Sequence, residues 1–248
     1  MLKKFKSLIK RYLSKRGYNL VSKNSTILTK EFIYLLLFTI KKKNIKIIQI
    51  GANNGKDLLN EFNNDYRHIV NYIGIEPQEI PFNELKKTYE NFNNFNLIRG
   101  CVGKEGKNYF FYFNENYEQY CKDKGLKFSN GVSSLEKKNL TRRLNADLNP
   151  DIYISSKEVD VDPLYNILKK NNLEVEQYRD IDLLQVDAEG YDDEVIYNSN
   201  LDFFKPQYIN FEYKNLNEMK LENLINFLKQ KSYETIIYKH NDCLAVLK

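Results

Sequence analysis

Short apolar runs alternate with helical stretches along most of this chain. The runs are rich in β-branched residues, which is typical of strands buried in a parallel sheet. They predict strands over residues 45–50, 69–76, 95–102, 108–113, 152–161, 181–187, 208–211, 233–238 and 243–247. Apolar positions at helical spacing predict helices over residues 57–64, 77–90 and 216–228, and further helices around Leu164 and Val195. This alternation predicts an α/β fold with a parallel sheet, closed by a hairpin that adds an antiparallel strand.

Turn and capping residues add two local predictions. The turn from Gly103 to Gly106 predicts that strand 108–113 pairs with the strand before it. Asp162 is predicted to cap the helix that begins at Pro163, because a short acidic side chain can accept a hydrogen bond from the first turn.

Two segments do not follow the alternating pattern. Residues 1–44 are basic and helically periodic, and we interpret them as an N-terminal helical extension to a domain that covers residues 45–248. Their longest apolar run, Phe32–Ile40, is too short as a helix to cross a bilayer core of about 30 Å. Residues 114–150 are polar without a clear period, which predicts a lid, a binding loop or disorder.

Composition narrows the function classes without choosing among them. The chain of 248 residues carries 38 Lys and Arg against 33 Asp and Glu, a mild excess that favours anionic partners without requiring them. Three cysteines predict reduced thiols and a cytoplasmic protein, and two histidines exclude a His-rich zinc site. The basic face of the N-terminal extension is compatible with peripheral contact to anionic lipid, although a solvated basic helix explains it more simply.

A glycine turn after the first strand is the first candidate binding site. Gly51 and Gly55 enclose Ala52, Asn53 and Asn54, and such a turn lets the backbone approach a ligand closely. Glu76 closes the next strand, near the roughly 20-residue spacing of a carboxylate that accepts ribose hydroxyls. A solvated strand end is the simpler alternative for Glu76 alone.

Three more carboxylates follow the carboxyl ends of predicted strands. Asp187 ends strand 181–187 and Glu189 follows it, and Glu212 follows strand 208–211. Ligands of open parallel sheets bind at this edge, so these side chains predict a ligand site there. Alternatively, Asp187 and Glu189 cap the helix that follows them.

Several motifs in this order resemble those of the FkbM-type methyltransferases, which are class I enzymes that use S-adenosylmethionine. The resemblance spans about residues 45–247 and depends on six segments: Ile48–Gly55, Ile75–Pro77, Ser133–Leu135, Val159–Leu164, Ile181–Gly190 and Phe211–Glu212. Gln49 and Gln185 differ from the Asp and the Lys that are usual in the family at those positions.

The resemblance implies a seven-stranded, mostly parallel Rossmann-like sheet with helices on both faces and an antiparallel final hairpin. It implies S-adenosylmethionine as the cofactor, held by three groups of residues. The methionine part would lie against Gly51, Ala52, Asn53 and Gly55, the ribose and adenine against Glu76, Pro77, Cys101 and Val102, and the reacting centre against Asp187, Glu189 and Gly190.

The resemblance also implies a chemistry, because much of the family methylates sugar hydroxyls. We therefore expect O-methylation of a bacterial surface-polysaccharide or nucleotide-sugar precursor, with Ser133, Ser134, Tyr191 and His240 as candidate acceptor contacts. Asp187 either takes the hydroxyl proton directly, or shares a Mg²⁺ or Mn²⁺ ion with Glu212 that acidifies the hydroxyl.

Three alternatives remain open from the sequence. An RNA methyltransferase is compatible with the basic excess. However, no basic patch is interleaved with stacking aromatic residues beyond Lys137 to Arg143, which can equally be a solvated helix, so no nucleic acid is expected. A dehydrogenase would need a tighter Gly-x-Gly-x-x-Gly turn. A non-catalytic nucleotide- or sugar-binding protein could use the same scaffold, since fold does not fix function. The acceptor and the oligomeric state do not follow from the sequence.

Overall fold

A central sheet of seven strands organises the molecule. The computed structural model describes residues 44–56, 69–128, 131–237 and 241–248. The strands of the central sheet are β1 (Ile45–Ile50), β2 (Val70–Ile75), β3 (Phe95–Ile98), β8 (Leu183–Val186), β9 (Tyr208–Glu212), β10 (Tyr233–Ile237) and β11 (Asp242–Leu247). They lie in the order β10-β11-β9-β8-β1-β2-β3. All pairs are parallel except those of β11, which runs antiparallel to β9 and β10. The predicted mostly parallel sheet with an antiparallel final hairpin is confirmed.

Helices cover both faces of this sheet. Those among the described residues are α1 (Glu79–Thr88), α2 (Glu115–Asp123), α3 (Lys137–Thr141), α4 (Pro150–Tyr153), α5 (Leu164–Lys170), α6 (Asp192–Tyr197), α7 (Leu201–Phe204) and α8 (Glu218–Gln230), with a 3₁₀ turn at Val175–Tyr178. Alternate residues of each strand face opposite sides. Ile48 and Leu184 join the apolar cluster of α5, α6 and α8, whereas Ile47 and Leu183 join the cluster of α1.

A buried row of polar side chains crosses the middle of the central sheet. Gln49, Gln185 and Asn210 are register neighbours on β1, β8 and β9, and all three are buried. The Tyr72 hydroxyl donates to Gln49 Oε1 at 2.7 Å, and Asn210 Nδ2 donates to Gln185 Oε1 at 2.9 Å. The two glutamines that depart from the usual residues of FkbM-type enzymes therefore bond to neighbours within the sheet.

A second, four-stranded sheet corrects two strand predictions. It contains β4 (Cys101–Val102), β5 (Gly106–Phe113), β6 (Ser133–Ser134) and β7 (Ile154–Asp162), in the order β4-β7-β5-β6. The single strand predicted over residues 95–102 is wrong, because the chain leaves the central sheet after Ile98 and joins the second sheet at Cys101. The predicted pairing of strand 108–113 with its predecessor is also wrong, since β5 pairs with β7 and β6. The turn from Gly103 to Gly106 favours pairing with the preceding strand, but β5 pairs instead with β7, which lies far along the chain.

The polar segment 114–150 is more regular than its sequence indicated. It contains α2, β6 and α3, and α4 begins at its end. Asn114 caps α2, with its side chain accepting from the backbone N–H groups of Asn116 and Tyr117. These elements are short and lie partly exposed, so they bury too few apolar residues to give a periodic pattern. The predicted cap at Asp162 is wrong: Asp162 ends β7 and binds Lys170 at 2.7 Å, and Pro163 takes the cap position of α5.

Several predictions lie outside the described residues. They are the N-terminal extension apart from Asn44, the helix at 57–64, and His240 in the hairpin turn. Within the ranges that the structure describes, no helix is long and apolar enough to cross a membrane. Cys101, Cys121 and Cys243 are free thiols, and all three are buried.

We predict that Gly74→Ala destabilises the protein by about 1–3 kcal/mol, a typical cost of overpacking. A Cβ at Gly74 would lie 2.7 Å from the Tyr72 ring, which lies over this strand to reach Gln49. Urea unfolding measures the effect. Gly100→Ala is the matched control, because a Cβ there meets its nearest atom at an ordinary 3.6 Å. Equal stability of the two variants would contradict the packing argument.

Candidate active site

The glycine turn after β1 packs directly against the loop after β8. Gly51 has φ +78°, and a Cβ on it would lie 1.9 Å from the Asp187 carbonyl oxygen. Only a residue without a side chain permits this contact. The Asp187 N–H donates to the Ile50 carbonyl at 3.0 Å, which continues the β1–β8 pairing into the turn. Gly55 has φ +76° and lies against the side chains of Leu85 and Tyr89, which leave no room for a Cβ at the end of the turn.

Glu76 holds the same turn from the end of β2. Its side chain is buried, and its two oxygens accept from the backbone N–H groups of Asn53 and Gln78, each at 2.8 Å. Burial raises the pKa of Glu76 to about 7, and the charge of Asp187 adds to this, whereas the two N–H groups and Lys157 oppose it. The sequence analysis placed Glu76 at a ligand site, and its burial beside the turn excludes the solvated alternative.

A pocket of about 240 Å³ lies over the carboxyl ends of the central strands. It collects most of the predicted site residues: Gly51, Asn53, Glu76, Pro77, Cys101, Val102, Ser133, Ser134, Asp187, Glu189 and Tyr191 line it. The predicted residues Ala52, Gly55, Gly190 and Glu212 are not among those that line it, and His240 lies outside the described residues. Sequence reasoning missed Phe110, Gly131 and Leu135, which reach the pocket from the second sheet and the segment beside it.

Three carboxylates converge at one end of the site. Asp187, Glu189 and Glu212 each offer an oxygen within 4.8 Å of the other two. Burial and the neighbouring Asp187 raise the pKa of Glu189 to about 7 and also raise the pKa of Glu212. The cluster therefore concentrates negative charge in a partly desolvated place, which is typical of functional sites.

Glu189 lies in a tight turn that the neighbouring residues hold in place. Its φ is +51°, and the following Gly190 has φ +92°. The buried Asp192 accepts from the Ala188 and Gly190 N–H groups at 3.4 and 3.1 Å. Asp192 thus satisfies two backbone N–H groups just before α6. The cap position of α6 is Tyr191, not Asp187 or Glu189, so the capping alternative is wrong.

Cationic and amide groups contact the carboxylates from outside. Arg143 forms an ion pair with Glu189. Asn215 Nδ2 donates to Glu212 Oε2 at 2.9 Å and lies 3.4 Å from Glu189 Oε2. Arg143 and Lys214 both oppose the upward pKa shifts of Glu189 and Glu212. The negative charge of the cluster is therefore only partly compensated by protein groups.

A segment that runs from Gly131 to Arg143, the covering segment, connects the two ends of the site. Gly131 lies against the Asn53 side chain, and Gln78 Nε2 donates to Ser133 Oγ at 2.8 Å. At the other end, Ser134 Oγ and Asn139 Nδ2 both donate to the Glu189 carbonyl at 3.0 Å. The covering segment thus contacts both the glycine turn and the carboxylate turn.

A comparison with protein families matches residues 49–235 to the methyltransferase FkbM domain. The match covers the glycine turn, Glu76, the covering segment and all three carboxylates. The chain belongs to the FkbM methyltransferase family. It is therefore an S-adenosylmethionine-dependent methyltransferase, and the dehydrogenase alternative is wrong. The pocket with Gly51, Asn53 and Glu76 is the candidate cofactor site, hereafter the cofactor pocket.

Solved structures with related folds are distant in sequence from this methyltransferase. One is a methyltransferase from Geobacter sulfurreducens, at 12% identity, with 98% of this chain and 87% of that chain covered and a TM-score of 0.42. Another is Aeropyrum pernix fibrillarin with natively bound S-adenosyl-L-methionine, at 13% identity, 88% and 74% coverage and a TM-score of 0.40. A third is a TehB-like methyltransferase from Corynebacterium glutamicum, at 9% identity, 98% and 95% coverage and a TM-score of 0.40. No curated protein matches the sequence.

We predict that cofactor affinity rises as the pH increases through about 7. Ribose hydroxyls donate to the ionised form of Glu76, whose pKa is raised to about 7 in the free protein, so the protonated form must lose a proton to bind. Glu76→Gln should weaken binding by about 1.5–3 kcal/mol and remove this pH dependence. Calorimetric titration with S-adenosylhomocysteine between pH 6 and pH 8.5 measures both effects. An unchanged dissociation constant in the variant would contradict the ribose assignment.

We predict that Gly131→Ala weakens cofactor binding by roughly tenfold, which corresponds to about 1.4 kcal/mol. A Cβ at this position would lie 1.9 Å from Asn53 Nδ2 and would push the asparagine side chain out of place. The same titration gives the affinity. The double variant Asn53→Gly with Gly131→Ala is the control, because Gly tolerates the φ of +48° at Asn53 and leaves room for the new methyl group. If Gly131→Ala weakens binding as much in the Asn53→Gly background as it does in the wild-type protein, the clash with Asn53 is not the cause.

Proposed function

We propose that this enzyme transfers the methyl group of S-adenosylmethionine to a hydroxyl of a saccharide, in a surface-polysaccharide or nucleotide-sugar precursor. The observation that carries the proposal is the cluster of Asp187, Glu189 and Glu212 at the end of the cofactor pocket. A hydroxyl is a poor nucleophile, and a nearby carboxylate that takes its proton makes it a better one.

The reaction needs one bond to form and one to break. The acceptor oxygen attacks the methyl carbon as the carbon–sulfur bond breaks, and the bonding pair returns to sulfur to leave neutral S-adenosylhomocysteine. The hydroxyl proton passes to a carboxylate and from there to water. Because the displacement is in line, positioning of the two reactants supplies much of the acceleration. The contact between Gly51 and the Asp187 backbone supports this, because it brings the cofactor turn beside the acid cluster.

Asp187 is our candidate for the base in the direct route. It lines the cofactor pocket, whereas Glu212 does not and accepts a hydrogen bond from Asn215. The Glu189 side chain pairs with Arg143, and its backbone carbonyl accepts from Ser134 and Asn139. Because these contacts fix Glu189 in place, we assign it a positioning role and not that of the base.

A metal-assisted route remains the second candidate for the same reaction. Three carboxylate oxygens within 4.8 Å of one another are the hard ligands that Mg²⁺ and Mn²⁺ prefer. Burial, followed by the charge of Asp187, raises the pKa of both Glu189 and Glu212. A divalent cation would stabilise their ionised forms, so the donor set fits such an ion. Asp187 and Glu212 would hold it, and a bound cation would supply acidification of the acceptor hydroxyl.

The charge of the site favours a saccharide acceptor over RNA. Three carboxylates would repel the phosphates that lie on both sides of every nucleotide in RNA. A sugar hydroxyl donates to a carboxylate, and in a nucleotide sugar the diphosphate is attached at the anomeric carbon, away from the hydroxyls on the far side of the ring. Ser133, Ser134 and Tyr191 line the pocket and offer hydroxyls for acceptor contacts. We place the reaction in the bacterial cytoplasm, where such precursors are made. Peripheral contact of the basic N-terminus with the inner membrane stays a prediction.

We predict that Asp187→Asn lowers turnover by roughly 10²-fold or more while S-adenosylhomocysteine binding largely survives, because an amide cannot take the proton. Asp147→Asn, at an exposed position away from the pocket, is the matched control. Mass spectrometry detects the product as a gain of one CH₂ across nucleotide sugars, lipid-linked glycans and RNA. Methylation of RNA alone would overturn the saccharide assignment.

Treatment with EDTA separates the two routes. Unchanged turnover supports direct proton transfer to Asp187, whereas loss that Mg²⁺ or Mn²⁺ restores supports the metal-assisted route. Near-wild-type turnover of Asp187→Asn would contradict both routes.

A further inference from the structure

A second cavity lies beside the cofactor pocket and has no role in the reaction described above. Its volume is about 640 Å³, against about 240 Å³ for the cofactor pocket, and it falls in the range of 300–1,000 Å³ that is usual for ligand sites. One wall is the first turn of α1, and the other is the end of β5 with the first turn of α2.

Gln78 connects the second cavity to the cofactor pocket. Gln78 lines the second cavity, its backbone N–H donates to Glu76, and its side chain donates to Ser133, which lines the cofactor pocket. Lys157 also lines the second cavity, and its charge favours the ionised form of Glu76. A molecule in the second cavity would therefore lie next to the bound cofactor.

The lining combines flat apolar surfaces with hydrogen-bonding groups. Tyr112, Phe113 and Phe128 contribute aromatic rings, and Asn83 and Asn116 contribute amides. Aromatic rings offer apolar faces to C–H groups, whereas amides both donate to and accept from hydroxyls. A pyranose has this same combination, with C–H groups on its faces and hydroxyls around its edge.

The charges of the lining disfavour an anionic ligand. Three glutamates and one lysine line the second cavity. Glu79 pairs with Arg99 at 3.1 Å and Glu118 pairs with Lys122 at 2.8 Å. The other two charged residues of the lining, Glu115 and Lys157, have opposite charges. With no excess of positive charge, the cavity has little to attract a phosphate or a diphosphate.

We propose that the second cavity is a saccharide-binding subsite that holds neutral, non-reacting sugar units of the acceptor. The proposal rests on the proposed function in one respect, namely that the acceptor is a saccharide. The aromatic rings cover the faces of a sugar ring, and the carboxylate and amide groups accept its hydroxyls. Because the subsite adjoins the cofactor pocket, it would contribute to the binding of longer acceptors without taking part in the chemistry.

The first experiment measures binding directly. The full chain, saturated with S-adenosylhomocysteine, is titrated with lactose, maltotriose, cellotriose and N,N′-diacetylchitobiose, and saturation-transfer NMR reports the contacts. We expect at least one of these neutral sugars to bind. Phe128→Ala and Asn83→Ala should each weaken that binding by tenfold or more, whereas Phe128→Tyr keeps the ring and should retain it.

Matched controls separate a lost contact from a lost fold. Lys87→Ala lies on the same helix as Asn83, is exposed and does not line the cavity, so it should leave binding unchanged. All variants should keep the wild-type affinity for S-adenosylhomocysteine. The proposal is overturned if no sugar binds, if the cavity variants bind as tightly as Lys87→Ala, or if UMP competes for the same contacts as strongly as the sugars.

The second experiment compares acceptors of different length. For an oligosaccharide acceptor, Phe128→Ala should raise KM by tenfold or more with little change in kcat, and for a monosaccharide acceptor it should change neither. Equal effects on both acceptors would overturn the subsite. If the neutral sugars bind the second cavity but no saccharide is methylated, the proposed function fails while the subsite stands. If saccharides are methylated and the cavity variants change nothing, the subsite fails alone.

Discussion

The close approach of Gly51 to the backbone of Asp187 is the contact on which the site depends. A Cβ at Gly51 would lie 1.9 Å from the Asp187 carbonyl oxygen, so no other residue fits without moving one of the two turns. The contact follows from the pairing of β1 with β8, which continues past the last strand residue through the bond from Asp187 to Ile50. It places the glycine turn, our candidate site for the cofactor, beside the turn that carries the carboxylates, and methyl transfer requires that two reactants lie this close.

Burial of negative charge is the second constraint. Glu76 and Glu189 both lie in places where desolvation raises their pKa to about 7. Two backbone N–H groups donate to Glu76 and stabilise its ionised form, and the ion pair with Arg143 does the same for Glu189. Such partly compensated carboxylates are less stable in the folded protein than solvated ones, and they are poised to accept hydrogen bonds or protons from ligands.

The second sheet and the covering segment turn an open sheet edge into an enclosed site. β5 and β7 carry Phe110 and Lys157 to the two cavities, and the covering segment joins Asn53 to Glu189 across the opening. Gln78 is common to both arrangements, because it binds Glu76 through its backbone and Ser133 through its side chain. Gln78 therefore links the second cavity, which it lines, to two residues of the cofactor pocket.

The central sheet, and the polar residues that meet at its carboxyl edge, could be predicted from the sequence. Buried parallel strands such as β1 and β8 are continuous apolar runs, and a glycine turn or a carboxylate at a strand end is a local feature of the chain. The carboxylates at Glu76, Asp187 and Glu212 were found in this way. Four features could not be predicted from the sequence: the second sheet, the hydrogen bonds of Asp192 to the Glu189 turn, the contact of Gly131 with Asn53 and the ion pair of Arg143 with Glu189. These depend on residues that are far apart in sequence, and on short elements that bury too little apolar surface to leave a periodic pattern.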